Sequence, residues 1–229
     1  MQNTLFLHEE ILLLALRDEE GTTASGTMYQ YAIGAALLAE LLLGRRIEVE
    51  QSSRKKLVNL VNTSPLGEPL IDECLGKVNN AKRRAALQTW VSRFAGIKNF
   101  KHRVAQQLCR RGILRADEDK VLLLFTRKIY PEVNPVPERE LIGRLEHAIF
   151  TESRDIDPRT VVLLSLANST GILKIVFDKK ELKSRKARIK QIVNGEITGK
   201  AATEAIQAMQ AAVMVACIMP TLITASVSH

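Results

Sequence analysis

Between residues 98 and 115 the sequence KNFKHRVAQQLCRRGILR carries Lys98, Lys101, Arg103, Arg110, Arg111 and Arg115 and no Asp or Glu. Side chains of this kind have no nucleophile or acid–base pair among them. The chemistry open to them is non-covalent anion capture, in which cations neutralise phosphates on nucleic acid or headgroups on a membrane surface. The next stretch, ADEDKVLLLF, ends in Leu122, Leu123, Leu124 and Phe125. Such an apolar run can enter a membrane interface, pair with a second copy of the chain, or serve as an ordinary core strand.

Other chemistry is thinly supported. The sequence has no GxGxxG, GxxxxGK[ST] or GxSxG segment, so cofactor and nucleotide loops and the hydrolase elbow are missing. HEEIL opens like a zinc-protease motif, but Leu12 stands where the second histidine belongs. The pattern reads as a surface glutamate pair, Glu9 and Glu10, at the start of a core helix. His8, His102, His147 and His229 are scattered without metal-ligand spacing. Cys74, Cys109 and Cys217 lie far apart and read as buried thiols of a reducing compartment. The acids at Glu19-Glu20 and Asp117-Glu118-Asp119 fall where turns are expected. No enzyme activity, cofactor or small-molecule substrate is expected.

The elements that must hold the basic stretch follow from composition and spacing. The chain has 229 residues, 46% apolar but only 4% aromatic, so its core is built from Leu, Ile, Val and Ala. Few Gly and Pro favour helices. The formal charge of +8 favours an anionic partner, or serves only solubility on a scaffold protein. Residues 5–15 fit a buried first helix, followed by a small polar loop over 22–27. Residues 28–43 form a second helix, apolar nearly all round, ended by Gly44. RRIEVEQSSRKKLVNLVN reads as a hairpin around Ser52-Ser53. Helices follow at LIDECLGKV, LQTWVSRFAGI and 98–111, the last burying Phe100, Val104 and Leu108 on one stripe. Ile113-Leu114 and 121–125 read as strands around the turn ADEDK, a hairpin over about 113–126. A Pro-rich connection over 131–137 leads to helical spacing at 138–150, 158–168, 180–193 and 201–224.

The N-terminus lacks a basic leader region, so no signal peptide is expected, and AAVMVACIMPTLITA is shorter than the roughly 20 residues a membrane span needs. Contact with a membrane would be at its surface. A helix, a glycine and a two-stranded wing would also suit DNA, but an acidic tip, DEDK, would be repelled by it. Lipid is therefore the favoured partner and a winged-helix nucleic-acid binder the alternative.

Several segments carry a resemblance. LFLHEEILLLALRDEEGT, LLAELLLGRRIEVE, PLIDECLGKV, VAQQLCRRGIL and RTVVLLSLANSTGIL resemble, in the same order, segments of the Golgi phosphoprotein 3 family. The resemblance implies one mainly α-helical domain over 1–229 with short β-hairpins. It implies binding of phosphatidylinositol-4-phosphate, an anionic membrane lipid, at a basic pocket, with the hairpin (Leu122, Leu123, Leu124, Phe125) in membrane contact or homo-oligomer formation. The pocket's arginine pair falls on Lys98 and Lys101, Arg103 matches a further basic position, and Arg110 and Arg111 add to the field. The expected location is cytoplasmic and peripheral to the membrane, on the Golgi face in a eukaryote. Three departures stand out. Lysines replace arginines, which exchanges a bidentate fork for a point charge. The loop around Ser25 and Gly26 has no aromatic where the family has one. Gly34 stands where the family has an arginine in its second helix. The family's basic N-terminal arm has no counterpart before a first helix that starts almost at Met1, so a prokaryotic or divergent member is expected.

Overall fold

The computed structural model describes residues 4–17, 22–23, 29–50, 56–121 and 125–196. These residues form a mainly helical structure with short antiparallel ribbons. The order is α1 (Leu7–Ala15), β1 (Leu16–Arg17), β2 (Thr22–Thr23), α2 (Tyr29–Leu43), β3 (Ile47–Val49) and β4 (Val58–Leu60). Then come α3 (Pro69–Asn79), α4 (Leu87–Ala95), α5 (Phe100–Arg110), β5 (Asp117–Val121) and β6 (Phe125–Ile129). The order continues with α6 (Val136–Phe150), α7 (Pro158–Ser169), α8 (Leu173–Val176), α9 (Lys179–Ser184) and α10 (Lys186–Val193).

The all-round apolar pattern of α2 has the meaning its sequence suggested. Every residue from Ala32 to Leu41 is buried, and α2 packs on α1, α3, α4 and α7. A single apolar cluster runs from Leu5 through Trp90 and Phe94 to Ile192. At about 2 kcal/mol for each large side chain taken out of water, that cluster is the main source of stability.

Gly34 is where α2 meets α4 most closely. A Cβ added there would lie 2.7 Å from the Val91 carbonyl oxygen and 3.0 Å from the Ala95 amide nitrogen. Both are backbone atoms, so neither can rotate aside. The arginine expected at this place by resemblance has no room because α4 occupies it.

Helix starts follow local chemistry. Pro69 and Pro158 stand in the first turns of α3 and α7. Carboxylates cap three helices: Glu68 accepts from the Leu70 and Ile71 amides, Asp157 from Thr160, and Asp178 from Lys180 and Glu181. Helices α4, α5, α6, α8 and α10 have no side-chain cap, and α5 differs from the other four in beginning at a residue, Asn99, in the left-handed backbone region (φ 56°).

Two expectations need correction. The segment Asp117–Val121 is strand β5, not a turn. It pairs with β6 so that Glu118 faces Lys128 and Asp119 faces Arg127, and Val121 faces Phe125. Glu118 opposite Lys128 is an opposite-charge pair of the kind that suits a strand ladder. Ile113 and Leu114 belong instead to the base of this region. The Ile113 carbonyl accepts from the Val133 and Asn134 amides, and Leu114 bridges to Glu132. The objection to DNA from an acidic tip therefore falls, because those acids lie along a strand. Leu122, Leu123 and Leu124 lie outside the described residues. So do Glu19-Glu20, Ser25-Gly26, Ser52-Ser53 and the helical spacing expected at 201–224.

Glu9 and Glu10 are likewise not a surface pair. They are 1% and 2% exposed. Their partners come from distant segments: Arg111 reaches Glu9 at 3.1 Å, and Arg144 of α6 pairs with Glu10. Glu40 of α2 accepts from Arg159 of α7 at 2.7 and 3.2 Å and from the Leu7 amide at 2.7 Å. The expected helix over 180–193 is split at Arg185 into α9 and α10.

Candidate functional site

Helix α5 is docked by the stripe its spacing called for. Phe100, Val104 and Leu108 are buried, joined by Ala105. The other side is polar, but its cations differ in state. Lys98 lies in the turn between α4 and α5 and is exposed, and it makes no ion pair among the described residues. Lys101, in the first turn, is half-buried, with its Nζ 6.0 Å from the centroid of the Tyr29 ring. Arg110 is exposed at the far end of the helix.

The two remaining arginines are held. Arg103 Nη1 lies 2.6 Å from Glu73 Oε2 of α3, at half-exposed positions. Arg111 is tied to Glu9, its guanidinium carbon lies 5.9 Å from the Phe6 ring centroid, and it donates to the Thr4 carbonyl at 3.4 Å. A stretch free of acids in sequence thus meets acids in space, and these anchor Arg103 and Arg111 to α3 and α1. The structure gathers Lys98 and Lys101 around the start of α5 and places Arg110 and Arg111 at its other end.

The uncapped start of α5 adds to this. A helix N-terminus presents amide N–H groups and the positive end of the peptide dipoles, equivalent to about half a unit charge. At α3, α7 and α9 a carboxylate of the chain satisfies those donors. At α5 none does, as at α4, α6, α8 and α10, and Lys98 and Lys101 stand near its start. Helix starts of this kind suit oxyanions in general, through their free amide N–H groups.

Tyr29 is the residue that sequence reasoning missed. Ser25 and Gly26 carry no aromatic, whereas Tyr29 opens α2 a few residues later and lies beside Lys101. An aromatic at the first turn of a helix that follows such a loop was the available signal. His102 completes the surroundings. Its Nδ1 lies 3.0 Å from the Tyr130 hydroxyl, and burial, with Lys101 and Lys128 nearby, holds its pKa below the usual histidine value. That shift disfavours the charged ring, so its hydrogen bond to Tyr130 is its main contribution here.

The thiols have no part in this. Burial pushes the Cys74 and Cys109 pKa values up, which leaves both as poor nucleophiles, and Cys217 lies outside the described residues. Among the described residues no group of His, Cys, Asp and Glu is placed to hold a metal ion, and no helix is long and apolar enough to cross a membrane.

Comparison with known proteins agrees with the segment resemblances. The model of the family described as Golgi phosphoprotein 3 (GPP34) matches residues 7–209. Vacuolar protein sorting-associated protein 74 of Eremothecium gossypii is 23% identical over 214 residues, an alignment covering 80% of this chain and 64% of that protein. The chain thus spans less than two thirds of the length of that curated relative.

Proposed function

The chain belongs to the Golgi phosphoprotein 3 family, and we propose that it is a non-catalytic peripheral protein that attaches to anionic membrane surfaces through the start of α5. The ligand is a lipid phosphate of the phosphoinositide class, with phosphatidylinositol-4-phosphate the headgroup implied by the family resemblance. Lys98 and Lys101 supply charge, the first-turn amides of α5 supply directed donors, and Tyr29 lines the approach beside Lys101. Arg103 contributes field from its pair with Glu73, and Arg110 and Arg111 contribute from further away. The location is the cytoplasmic side of a membrane.

The observation that carries this reading is the placing of Lys98 and Lys101 at the start of α5, with Tyr29 beside Lys101; that start, like those of α4, α6 and α10, has no side-chain cap. Each cation near an anionic surface contributes about 1 kcal/mol, so two lysines and a helix terminus give reversible attachment. Gly34 supports a weaker and less selective site than an arginine at that place would give, since α4 fills the space. Leu122, Leu123, Leu124 and Phe125 are assigned membrane contact or self-association on their sequence alone.

Co-sedimentation with phosphatidylcholine vesicles, with and without phosphatidylinositol-4-phosphate or phosphatidylserine, tests this beside a duplex-DNA titration at matched salt. Binding should require the acidic lipid and fall on adding salt. The Lys98→Glu, Lys101→Glu double variant should lose about tenfold or more in vesicle affinity, as two reversed charges imply. Retention of full vesicle binding by that variant removes the site. Tight DNA binding with no vesicle binding removes the lipid reading in favour of the nucleic-acid alternative.

A further inference from the structure

A second cationic surface lies away from α5. Helices α8, α9 and α10 enclose a groove of about 760 Å³. Leu173, Leu182 and Ile189 line its apolar part. Lys174, Lys179, Lys183, Lys186 and Lys190 line the rest, and no carboxylate does. None of these lysines makes an ion pair among the described residues, whereas the neighbouring Arg185 and Arg188 both reach Glu152.

The spacing is informative. Lys179 and Lys183 stand one turn apart on α9, and Lys186 and Lys190 one turn apart on α10. Like charges at that spacing repel and weaken short helices. Here two such pairs border one apolar groove, and nothing within the described chain neutralises them. A ligand that buries apolar surface and brings carboxylates one turn apart would relieve both costs together.

We propose that this groove is a docking surface for an acidic amphipathic helix of a partner protein, laid with its apolar face on Leu173, Leu182 and Ile189 and its carboxylates against the lysines. A single lipid phosphate would meet only part of a cation set arranged in two rows. The chain's own residues 197–229 contain one acid, Glu204, and so lack the charge to match. The position also separates this surface from the one at α5: α10 packs on α7, α7 on α1, and α1 on α5. The groove's own α8 also packs on α1, so α1 stands between the groove and the cations proposed to meet lipid.

The test uses the full isotope-labelled chain and a synthetic helical peptide with leucines on one face and glutamates one turn apart beside them. Amide shifts should map to α8, α9 and α10. Replacing the peptide's glutamates with glutamine should weaken binding about tenfold or more, and so should Lys186→Glu with Lys190→Glu. The milder Lys186→Gln, Lys190→Gln variant gives the same direction if the first is unfolded by circular dichroism. The Lys98→Glu, Lys101→Glu variant should bind the peptide as wild type does, whatever happens to its vesicle binding. Equal affinity for the glutamine peptide, unchanged affinity of the Gln variant, or shifts confined to other helices would overturn the proposal. So would loss of phosphatidylserine-vesicle binding by the Lys186 and Lys190 variants when the peptide binds nowhere, which assigns the groove to membrane. A zero-length cross-link from Lys186 or Lys190 to Glu204 in the chain alone would assign it to the chain's own terminal segment, and equally overturn it.

Discussion

The interior around α1 and the groove between α9 and α10 are both rich in charge, and they use it in opposite ways. Inside, Arg111, Arg144 and Arg159 are matched to Glu9, Glu10 and Glu40. Outside, five lysines face one groove with no carboxylate lining it. The residue type follows the task. A guanidinium is weakly hydrated and presents a planar fork, so it can be drawn inward against a carboxylate, while an ammonium is strongly hydrated and stays in water. The net charge of +8 adds these populations together and hides the distinction. Among the described residues, the lysines of the groove make no ion pair and face solvent, where an incoming anion can reach them.

That contrast can be broken by experiment, and the largest effect is expected inside. Arg159→Met leaves Glu40 buried without its bidentate partner and should cost about 3 kcal/mol in urea unfolding, in line with other broken buried pairs. A loss under about 1 kcal/mol would mean that the interior pairs are as dispensable as surface ones.

His8 gives the next effect, through pH. It is fully buried, and desolvation lowers its pKa from 6.5 to about 4. Its distance of 3.7 Å to Glu68 is therefore a contact of a neutral ring at pH 7. The unfolded chain binds the proton more readily, so stability is full above pH 6.5 and falls as pH drops toward 4. Burial raises the pKa of Glu9 and Glu10, which works the other way: their share is present below the ordinary carboxylate value and is lost as pH rises through the raised one. His8→Gln should remove the histidine part, about 2 kcal/mol of the change between about pH 8 and pH 5. An unchanged pH profile would show that the ring is not held neutral.

Smaller effects sharpen the boundary between the two populations. Arg103→Ala removes a half-exposed pair with Glu73 and should cost about 0.5–1 kcal/mol. Lys98→Glu with Lys101→Glu should change unfolding free energy by no more than about 0.5 kcal/mol, as surface substitutions do. A loss as large as that of Arg159→Met would place these lysines with the structural arginines and erase the comparison.

Much of the helical frame was legible because period and burial coincide, as at Phe100, Val104 and Leu108 or along α2. The buried glutamates were not. Glu9 and Glu10 find their arginines in segments about a hundred residues or more away, at Arg111 and Arg144, and no local pattern announces such a pair. The β5–β6 register failed for a similar reason: Asp117 to Asp119 has the composition of a turn until the facing Arg127 and Lys128 are considered. For the candidate site, the two lysines were visible as a charge run. The missing cap at Asn99 and the ring of Tyr29 beside Lys101 were not, since both depend on how α4, α5 and α2 meet.

The close approach at Gly34 also limits which substitutions the chain can accept. With α4 backbone 2.7 Å from where a Cβ would stand, a side chain cannot be placed at this position by one substitution alone. Helix α4 must first be loosened or shifted by a change elsewhere, and that change carries no benefit until the second arrives. A descendant of this chain that needs a stronger anion site has an easier path at the open start of α5, for example lysine to arginine at 98 or 101, than through the core.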